Sequence, residues 1–342
     1  MNGEFLTRVS NAPGLSGFED EVQQIAAEVF DECCDETRRD RLGNVIGLKR
    51  ATIPAEGGTV RVMLAAHADE IGMMVKSIDE HGFIGFAPVG GLHVASTMGQ
   101  AVIVHGRSAV RGVVVPDVPP KDQYRPLAEM LIDVGLSRAE VLDLVDIGDA
   151  VTFAQECAQL NDDVFTGRNF DDRIGTYCLL QAMLEVGDVQ VDAYAVSTVQ
   201  EEVGVRGAGV AAYAIEPDIG IAIDGSLCRG AYSELRHHTC EMGAGTGIYL
   251  MDNLTIGDRG LIAFLFELCE SHGIPFQKTV GGGTDASAIQ RTKRGALATT
   301  IGAPVRHMHS TVQLCHSADI DATVALLKAF LEHAHELPLS AR

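Results

Sequence analysis

Positive charge is scarce in this sequence of 342 residues. Lysine and arginine number 26 against 47 aspartates and glutamates, which gives a formal net charge of −21 at pH 7. Nucleic-acid-binding proteins need an excess of basic side chains to neutralise phosphates. The composition therefore argues against a nucleic-acid partner and is typical of an acidic cytoplasmic protein.

Long apolar runs and paired-cysteine motifs are also missing. No stretch of about 18 residues is continuously apolar, so no membrane segment is expected, and the opening MNGEFLTRVSNAPG lacks the apolar core of a secretion signal. The eight cysteines are scattered, without the Cys-x-x-Cys spacing of structural zinc sites. We therefore expect a soluble protein that remains in the cytoplasm with reduced thiols.

The apolar residues that are present alternate between helical and strand patterns, and the length allows two domains. Helices are predicted at 17–34, 174–185, 258–272 and 318–335, and strands at 45–48, 60–66, 193–199, 219–223 and 297–301. Such alternation predicts an α/β fold with a central mixed sheet flanked by helices.

Between residues 72 and 160 the pattern changes to short strands separated by glycines. They are predicted at 83–86, 101–105, 110–115 and 150–153. Short, regularly spaced strands of this kind favour a small β-barrel or sandwich. We therefore predict a catalytic domain formed by residues 1–71 and 161–342, with an inserted β-barrel domain at 72–160.

Ionisable side chains gather where the predicted strands end, the edge at which ligands bind in open α/β sheets. They are His67, Asp69, Asp171, Asp172, Glu201, Glu202, Asp224 and His309. Each has an ordinary explanation alone: a helix cap, a turn, an exposed imidazole or a solvated acidic pair. Together they match the nitrogen and oxygen ligands of zinc or cobalt in an open catalytic site.

Two of these positions have a particular geometry. Asp69 follows His67 by two residues, so in an extended chain its carboxylate could hold the second ring nitrogen of a metal-bound histidine. Glu201 and Glu202 are adjacent and would point to opposite faces of a strand. They can serve one site only if the strand ends before them. Asp171 is placed to bridge two ions, which would lie roughly 3.5–4 Å apart.

Seven segments in order along the chain resemble the tetrahedral (TET) aminopeptidases of metallopeptidase family 42. They are PGLSGFE (13–19), DRLGNVIG (40–47), AAHADEIG (65–72), GRNFDDRIG (167–175), TVQEEVGVRGA (198–208), GGGTDASAI (281–289) and RHMHS (306–310). The resemblance implies a zinc-peptidase-like domain interrupted by a β-barrel dimerisation domain. It also implies peptide substrates and a dodecamer built from dimers.

The resemblance further implies two divalent cations per subunit, zinc or cobalt, and a role for each candidate. His67, Asp171 and Asp224 would hold one ion, with Asp171 bridging to a second ion held by Glu202 and His309. Glu201 would be the general base, and Asp69 would orient His67.

Substrate contacts are less defined. Thr284 and Asp285 in the glycine loop are candidates, although a tight turn also explains GGGTD. His307, where relatives often have tyrosine, could reach the site by alternation with His309. The stretch 225–232 departs from the family pattern, so the resemblance gives no expectation for the nearby substrate pocket. The acidic charge favours basic or neutral peptides over acidic ones.

Other functions use the same residues. A dimetal deacylase or carboxypeptidase acting on N-acylated amino acids would need a cationic side chain for the substrate carboxylate, with Arg173, Arg206, Arg229 and Arg306 as candidates. A metal-stabilised scaffold without an exchangeable water is a third reading. A glycosidase is disfavoured, because adjacent glutamates cannot easily face each other across the roughly 5–9.5 Å that the reaction requires.

Overall fold

The computed structural model describes residues 1–52, 59–117, 126–228 and 239–339. Its largest sheet has eight strands. In spatial order they are β1 (Glu36–Arg39), β2 (Val45–Lys49), β12 (Asp192–Thr198), β3 (Arg61–His67), β13 (Ile219–Ile223), β17 (Leu297–Gly302), β15 (Thr246–Met251) and β16 (Phe276–Val280). The central strands β12, β3, β13 and β17 are parallel. The β1–β2, β2–β12 and β15–β17 pairs are antiparallel, and the β15–β16 pair is parallel. The sheet is mixed, as predicted.

Helices cover both faces of this sheet, because its inner strands are apolar on both sides. One face packs against α1 (Gly3–Asn11), α2 (Asp20–Cys33), α5 (Phe170–Glu185), α7 (Arg259–His272) and α9 (Ser317–His333). The other packs against α6 (Arg206–Ile215) and α8 (Ala286–Gln290). Strand β3 shows the alternation: Val62 and Leu64 face the first layer, and Met63 faces the second. None of the described helices combines the length and apolar composition needed to cross a lipid bilayer.

A closed six-stranded barrel follows β3 in the sequence and precedes the second half of the chain. Around the barrel the strands are β4 (Gly72–Ile78), β5 (Ile84–Val89), β8 (Met130–Asp133), β7 (Ala109–Pro116), β6 (Ala101–His105) and β9 (Ala150–Phe153). Two short helices, α3 (Val94–Thr97) and α4 (Arg138–Leu144), belong to the same segment. The barrel has a hydrophobic core of its own. The predicted barrel is therefore confirmed, while its boundaries at 72 and 160 and its part in dimerisation stay predictions.

A second sheet of five very short strands was not predicted. In spatial order it consists of β10 (Ala158–Gln159), β11 (Val164–Gly167), β19 (Gln313–His316), β18 (Pro304–Arg306) and β14 (Ser226–Leu227). This sheet positions three segments beside the central strands. Strand β11 leads into Asp171, the β18–β19 connection carries His309, and β14 follows Asp224.

Helix boundaries differ from the predictions by a few residues, for local reasons. Helix α2 begins at Asp20 and not at residue 17, because Gly17 has a φ of +90°. The backbone angles of Asp171 and Asp172 are not helical, so the regular part of α5 follows them. The last predicted helix ends at His333 and continues as a 3₁₀ turn, Ala334–Glu336.

Candidate metal centre

The predicted site residues converge at the carboxyl ends of the central parallel strands. His67 is the last residue of β3 and pairs in register with Thr198, the last residue of β12. Asp224 directly follows β13, the other neighbour of β3. Because parallel strands end at one edge of the sheet, these ionisable side chains meet although they are far apart in sequence.

Two groups of side chains are close enough to hold a cation each. In each group, one nitrogen or carboxylate oxygen per residue lies within 4.8 Å of the others. The first group contains His67, Asp172 and Asp224, and the second contains Asp171, Glu202 and His309. All the candidate ligands inferred from the sequence therefore lie in one of these two groups.

Asp171 joins the two groups. Its Oδ1 lies 3.2 Å from Nε2 of His67, and its Oδ2 lies 3.2 Å from Nε2 of His309. A carboxylate that presents one oxygen to each histidine has the arrangement that a bridging ligand needs. Its backbone N–H is fixed by Oε1 of Gln313 at 2.8 Å, a contact that sequence reasoning missed.

Asp172 also belongs to the first group, although a helix cap explained it in the sequence. Its Oδ1 does accept the backbone N–H of Gly175 at 2.9 Å, near the start of α5. Its Oδ2 is buried and has no hydrogen-bonding partner among the described residues. An unpaired buried carboxylate oxygen is costly unless something neutralises it, so Asp172 fits a cation-binding role that the sequence did not single out.

Both histidines are held with the same nitrogen available to a metal. Nδ1 of His67 lies 3.0 Å from the carbonyl oxygen of Asp69, and Nδ1 of His309 lies 3.1 Å from that of Gly91. A carbonyl oxygen can only accept, so in the neutral imidazole each Nδ1 carries the proton and each Nε2 keeps its lone pair. This pattern is the one that metal-bound histidines show. It also gives the barrel segment, through Gly91, a direct part in the site.

Asp69 contacts His67 and also the turn that carries Glu201 and Glu202, which we call the glutamate turn. Its Oδ1 accepts the N–H of Glu201 at 2.9 Å, and its Oδ2 accepts the N–H of Glu202 at 3.1 Å and the hydroxyl of Ser16 at 2.6 Å. Its Oδ1 is 3.5 Å from Nδ1 of His67, farther than its own carbonyl oxygen. Burial opposes ionisation of Asp69, but hydrogen bonds from His67 and Ser16 lower its pKa.

Replacing Asp69 tests this positioning. Asp69→Asn keeps the backbone carbonyl that contacts His67 but removes one acceptor oxygen from the glutamate turn. We expect cation affinity, measured by titration, to fall by about 10–100-fold, the usual effect of losing a group that holds a metal ligand in place. Ser16→Ala, which removes only one donor to the same carboxylate, is the matched control and should cost less. Equal losses in the two variants would contradict this account.

The adjacent glutamates reach one cavity because the strand ends before them. Strand β12 stops at Thr198, and Gln200 has a φ of +58°, so strand alternation is broken there. The N–H of Gln200 donates to Glu19 at 3.2 Å. Glu201 and Glu202 then both line the same cavity. The turn inferred from the sequence is therefore present.

The carboxylates of this site repel one another without cations. Burial, followed by the charges of Asp172 and Asp171, raises the pKa of Asp224 well above its usual range. Burial raises the pKa of Glu202 to about 8. It also raises that of Glu201 well above its usual range. Bound divalent cations would remove this cost, so the donor set fits metal ions.

The excess of carboxylates also changes the pKa values of the two histidines. Burial opposes protonation of His67, yet its bonds to Asp171 and Asp69 raise its pKa well above the usual range. Asp171 raises the pKa of His309 to about 9. Burial opposes ionisation of Asp171, but hydrogen bonds from His309 and His67 hold its pKa low. The carboxylates therefore favour positive charge at this site.

The site opens into a cavity of about 410 Å³. Apart from Asp171, Glu201, Glu202, Asp224 and His309, its described lining consists of His93, Gly225, Leu227, Tyr249, Asn253, Gly282, Gly283, Thr284 and Met308. His93 comes from the barrel segment, and its ring centroid lies 6.2 Å from that of His309. Sequence reasoning gave no reason to place His93 here.

The three candidate substrate contacts are placed differently. Thr284 lines the cavity. Asp285 is buried beside it and accepts a hydrogen bond from Thr198 at 2.5 Å. His307 is exposed and outside the described cavity lining. The alternation expected for His307 and His309 fails because β18 ends at Arg306 and both histidines have positive φ angles.

The arginines considered for a substrate carboxylate do not line the cavity in the described chain. Arg173 is buried, and its guanidinium donates to the carbonyl oxygens of Ala68, Val9 and Ala12 at 2.7–2.8 Å. Arg206 is exposed and bonds to the side chain of Gln200. Arg306 is half-buried, and Arg229 lies outside the described residues.

The mixed sheet, the inserted barrel and the paired ligand groups define a metallopeptidase of the α/β class. A family model described as M42 glutamyl aminopeptidase matches residues 43–326. The chain belongs to this family, is related to its TET-type members and is a metal-dependent aminopeptidase. The family implied by the sequence is thereby confirmed.

Individual relatives agree over nearly the whole length. A lysyl aminopeptidase of Pyrococcus furiosus is 32% identical over 97% of this chain and 97% of its own. Among solved structures, an aminopeptidase of Desulfurococcus kamchatkensis has a TM-score of 0.92 at 34% identity, covering 96% of this chain and 94% of its own. The TET1 peptidase of Pyrococcus horikoshii has a TM-score of 0.85 at 29% identity, covering 96% and 98%.

Proposed function

We propose that this aminopeptidase is dinuclear: it binds two divalent cations, zinc or cobalt, and releases amino-terminal residues from peptides. The observation that carries the proposal is Asp171, whose two oxygens each lie 3.2 Å from Nε2 of a different histidine. His67, Asp172 and Asp224 are the candidate partners of Asp171 on one side. Glu202 and His309 are its partners on the other. When bound, the cations would supply Lewis acidity toward a water molecule and the scissile carbonyl.

We assign the general base to Glu201. It lines the cavity but belongs to neither ligand group among the described residues. Burial raises its pKa, and a base works best when its pKa is near the working pH. Glu201 would accept a proton from the attacking water and return it to the nitrogen of the leaving amine.

Asp69 would act through Glu201 and Glu202. Its carboxylate receives the N–H groups of both glutamates. By fixing the backbone of the turn, it keeps the proton-accepting oxygen of Glu201 directed into the cavity, which limits the entropy lost during the reaction.

The lining favours substrates with a free amino terminus. Its described carboxylates are hydrogen-bond acceptors, and no Lys or Arg stands among the described lining residues. A free α-amine is a donor that can carry positive charge, whereas acylation removes its charge and one of its hydrogens. A deacylase would instead need a cation for the substrate carboxylate, and no described arginine is placed to supply one.

We also propose that the chain assembles into dimers and then into a tetrahedral dodecamer. The Pyrococcus horikoshii TET1 peptidase can assemble into a tetrahedron or a large octahedral shell. Size-exclusion chromatography with light scattering tests the proposal for this chain. A monomer at micromolar concentration would contradict it.

Removing and restoring the cations tests the dinuclear proposal. The protein is dialysed against a chelator and titrated with zinc or with cobalt. Hydrolysis of a dipeptide and of its N-acetylated form is then followed. We expect activity to reach its maximum at two cations per chain by elemental analysis, with the free-amino peptide preferred by at least about a hundredfold, since a misplaced reacting group costs about that much. Full activity at one cation per chain would contradict the dinuclear proposal, and preference for the acetylated peptide would support the deacylase.

A further inference from the structure

The cavity lining contains an apolar part as well as the ionisable one. Leu227 and Met308 line the cavity together with Gly225 and the glycines of the 281–283 loop that face it. Leu227 belongs to the stretch 225–232. This stretch departs from the family pattern, so the family gave no expectation for the pocket beside it. We call Leu227 and Met308 the apolar wall.

Glycines lie next to both residues of the apolar wall. Cδ1 of Leu227 lies 3.9 Å from the position that a Cβ atom would take at Gly281 and at Gly282. Both glycines have positive φ angles, +120° and +79°, which side-chain-bearing residues rarely adopt. Cε of Met308 lies 2.7 Å from the Cβ position of Gly225, so any larger residue at Gly225 would displace Met308. The approach to Met308 therefore leaves no space for a larger residue at Gly225, whereas Leu227 lies at ordinary van der Waals distance from the glycine loop.

Two polar groups near the apolar wall, the hydroxyl of Tyr249 and the carboxylate of Asp252, already make hydrogen bonds within the fold. The hydroxyl of Tyr249 donates to the carbonyl oxygen of Gly225 at 2.9 Å. The carboxylate of Asp252 is buried. Its Oδ1 accepts the N–H groups of Leu254 and Thr255 at 2.7 and 2.6 Å, and its Oδ2 faces the hydroxyl of Thr284 at 3.3 Å. These bonds commit the donor of Tyr249 and three acceptor positions of Asp252 to the fold.

Charge in the described lining is confined to the catalytic groups. Every carboxylate in that lining belongs to one of the two ligand groups or is Glu201. With the cations, the base and the α-amine of the substrate in place, these groups are committed, and the described lining offers no Lys or Arg to an acidic side chain. Burying an unpaired charge against apolar groups is unfavourable for either sign.

We propose that the apolar wall selects an uncharged aliphatic side chain, of the size of leucine or methionine, on the amino-terminal residue of the substrate. The inference rests on the proposed function and names the substrate class of the same cavity. Apolar area is removed from water when such a side chain packs against Leu227 and Met308. Net charge alone favoured basic or neutral peptides, and the lining selects the neutral ones.

A panel of aminoacyl p-nitroanilides tests this preference in the cation-restored protein. We expect kcat/KM for the leucine and methionine substrates to exceed that for the lysine and glutamate substrates by at least about tenfold, the lower limit for one methylene in an apolar pocket. A lysine or glutamate substrate that is cleaved as well as the leucine substrate would overturn the inference.

Variants of Leu227 locate the selectivity. Leu227→Glu should shift the preference toward lysine, because it adds a carboxylate to the apolar wall. Ile256→Glu is the matched control, since Ile256 is 73% exposed and outside the described lining; it should leave the preference unchanged. Leu227→Ala should lower kcat/KM for leucine by about tenfold and leave the alanine substrate nearly unaffected. An unchanged leucine-to-alanine ratio in Leu227→Ala would overturn the assignment even if Leu227→Glu does not fold.

The two proposals fail in different ways. If the cation-restored protein cleaves no free-amino substrate, the proposed function is wrong. If it cleaves them but prefers charged residues, the proposed function stands and only the role of the apolar wall is wrong.

Discussion

Asp171→Asn should yield a folded protein that no longer retains its cations and has almost no aminopeptidase activity. Asparagine keeps the backbone N–H that Gln313 holds but has one acceptor oxygen and no charge. Asp171 is the only described side chain shown within 3.2 Å of both ligand histidines. Removing one member of a buried charged cluster costs about 3–5 kcal/mol, and each 1.4 kcal/mol is about tenfold. Cation affinity and kcat/KM should therefore fall by at least about a hundredfold.

Elemental analysis after dialysis measures the cation loss, and circular dichroism shows whether the fold remains. Asp162→Asn is the matched control, because it removes the same charge from an exposed residue on the loop before β11. We expect the control to keep its cations and activity. If Asp171→Asn also keeps both, Asp171 does not bridge and the two ligand groups are independent.

Much of the site could be predicted because its ionisable residues repeatedly stand at the ends of apolar strands. His67 ends an apolar strand, and Asp224 directly follows another. Strand ends are recognisable in the sequence, since a buried strand must stop where an ionised side chain appears. The parallel topology then brings these ends to one edge. The adjacency of Glu201 and Glu202 was informative for the same reason, because only a turn could make both useful.

The remaining parts of the site depend on contacts that no local pattern shows. Gly91 accepts the ring N–H of His309 across 218 positions of sequence. His93 reaches the cavity only because the barrel lies beside the β18–β19 connection. Both contacts follow from the packing of the barrel beside the larger sheet, each with its own hydrophobic core, which hydrophobic periodicity cannot predict.

The five-stranded sheet was missed for a different reason. Its strands contain two to four residues, too few for alternation to be recognised. The short strands also explain why His307 and His309 do not face the same side: β18 stops at Arg306, before both histidines. Asp172 is a strand-end candidate in the sequence but has no ligand role there, because an aspartate before a helix is explained by capping. Its capping bond to Gly175 is present, and only the structure shows the second, unpaired oxygen.

Glu201→Gln and Glu202→Gln should both inactivate the protein, the first by losing the proton acceptor and the second by losing a cation ligand. Glutamine keeps the size of glutamate and cannot accept a proton at working pH. Glu201 is outside both ligand groups, so Glu201→Gln should retain its cations while kcat falls by about 10²–10⁴-fold, the usual contribution of a general base. KM should change little, because the lost interaction belongs to the transition state.

Glu202→Gln should lose a cation as well as activity. Oε1 of Glu202 lies 3.8 Å from Nε2 of His309, within the second ligand group. Adding excess zinc or cobalt should therefore restore part of the activity of Glu202→Gln by mass action and none of that of Glu201→Gln. Since the two residues are neighbours, share the Asp69 carboxylate and undergo the same substitution, a difference in cation rescue cannot come from a general disturbance of the turn. Equal rescue of both variants, or a Glu201→Gln protein with more than about a tenth of the parent kcat, would mean that the proton is carried by another group.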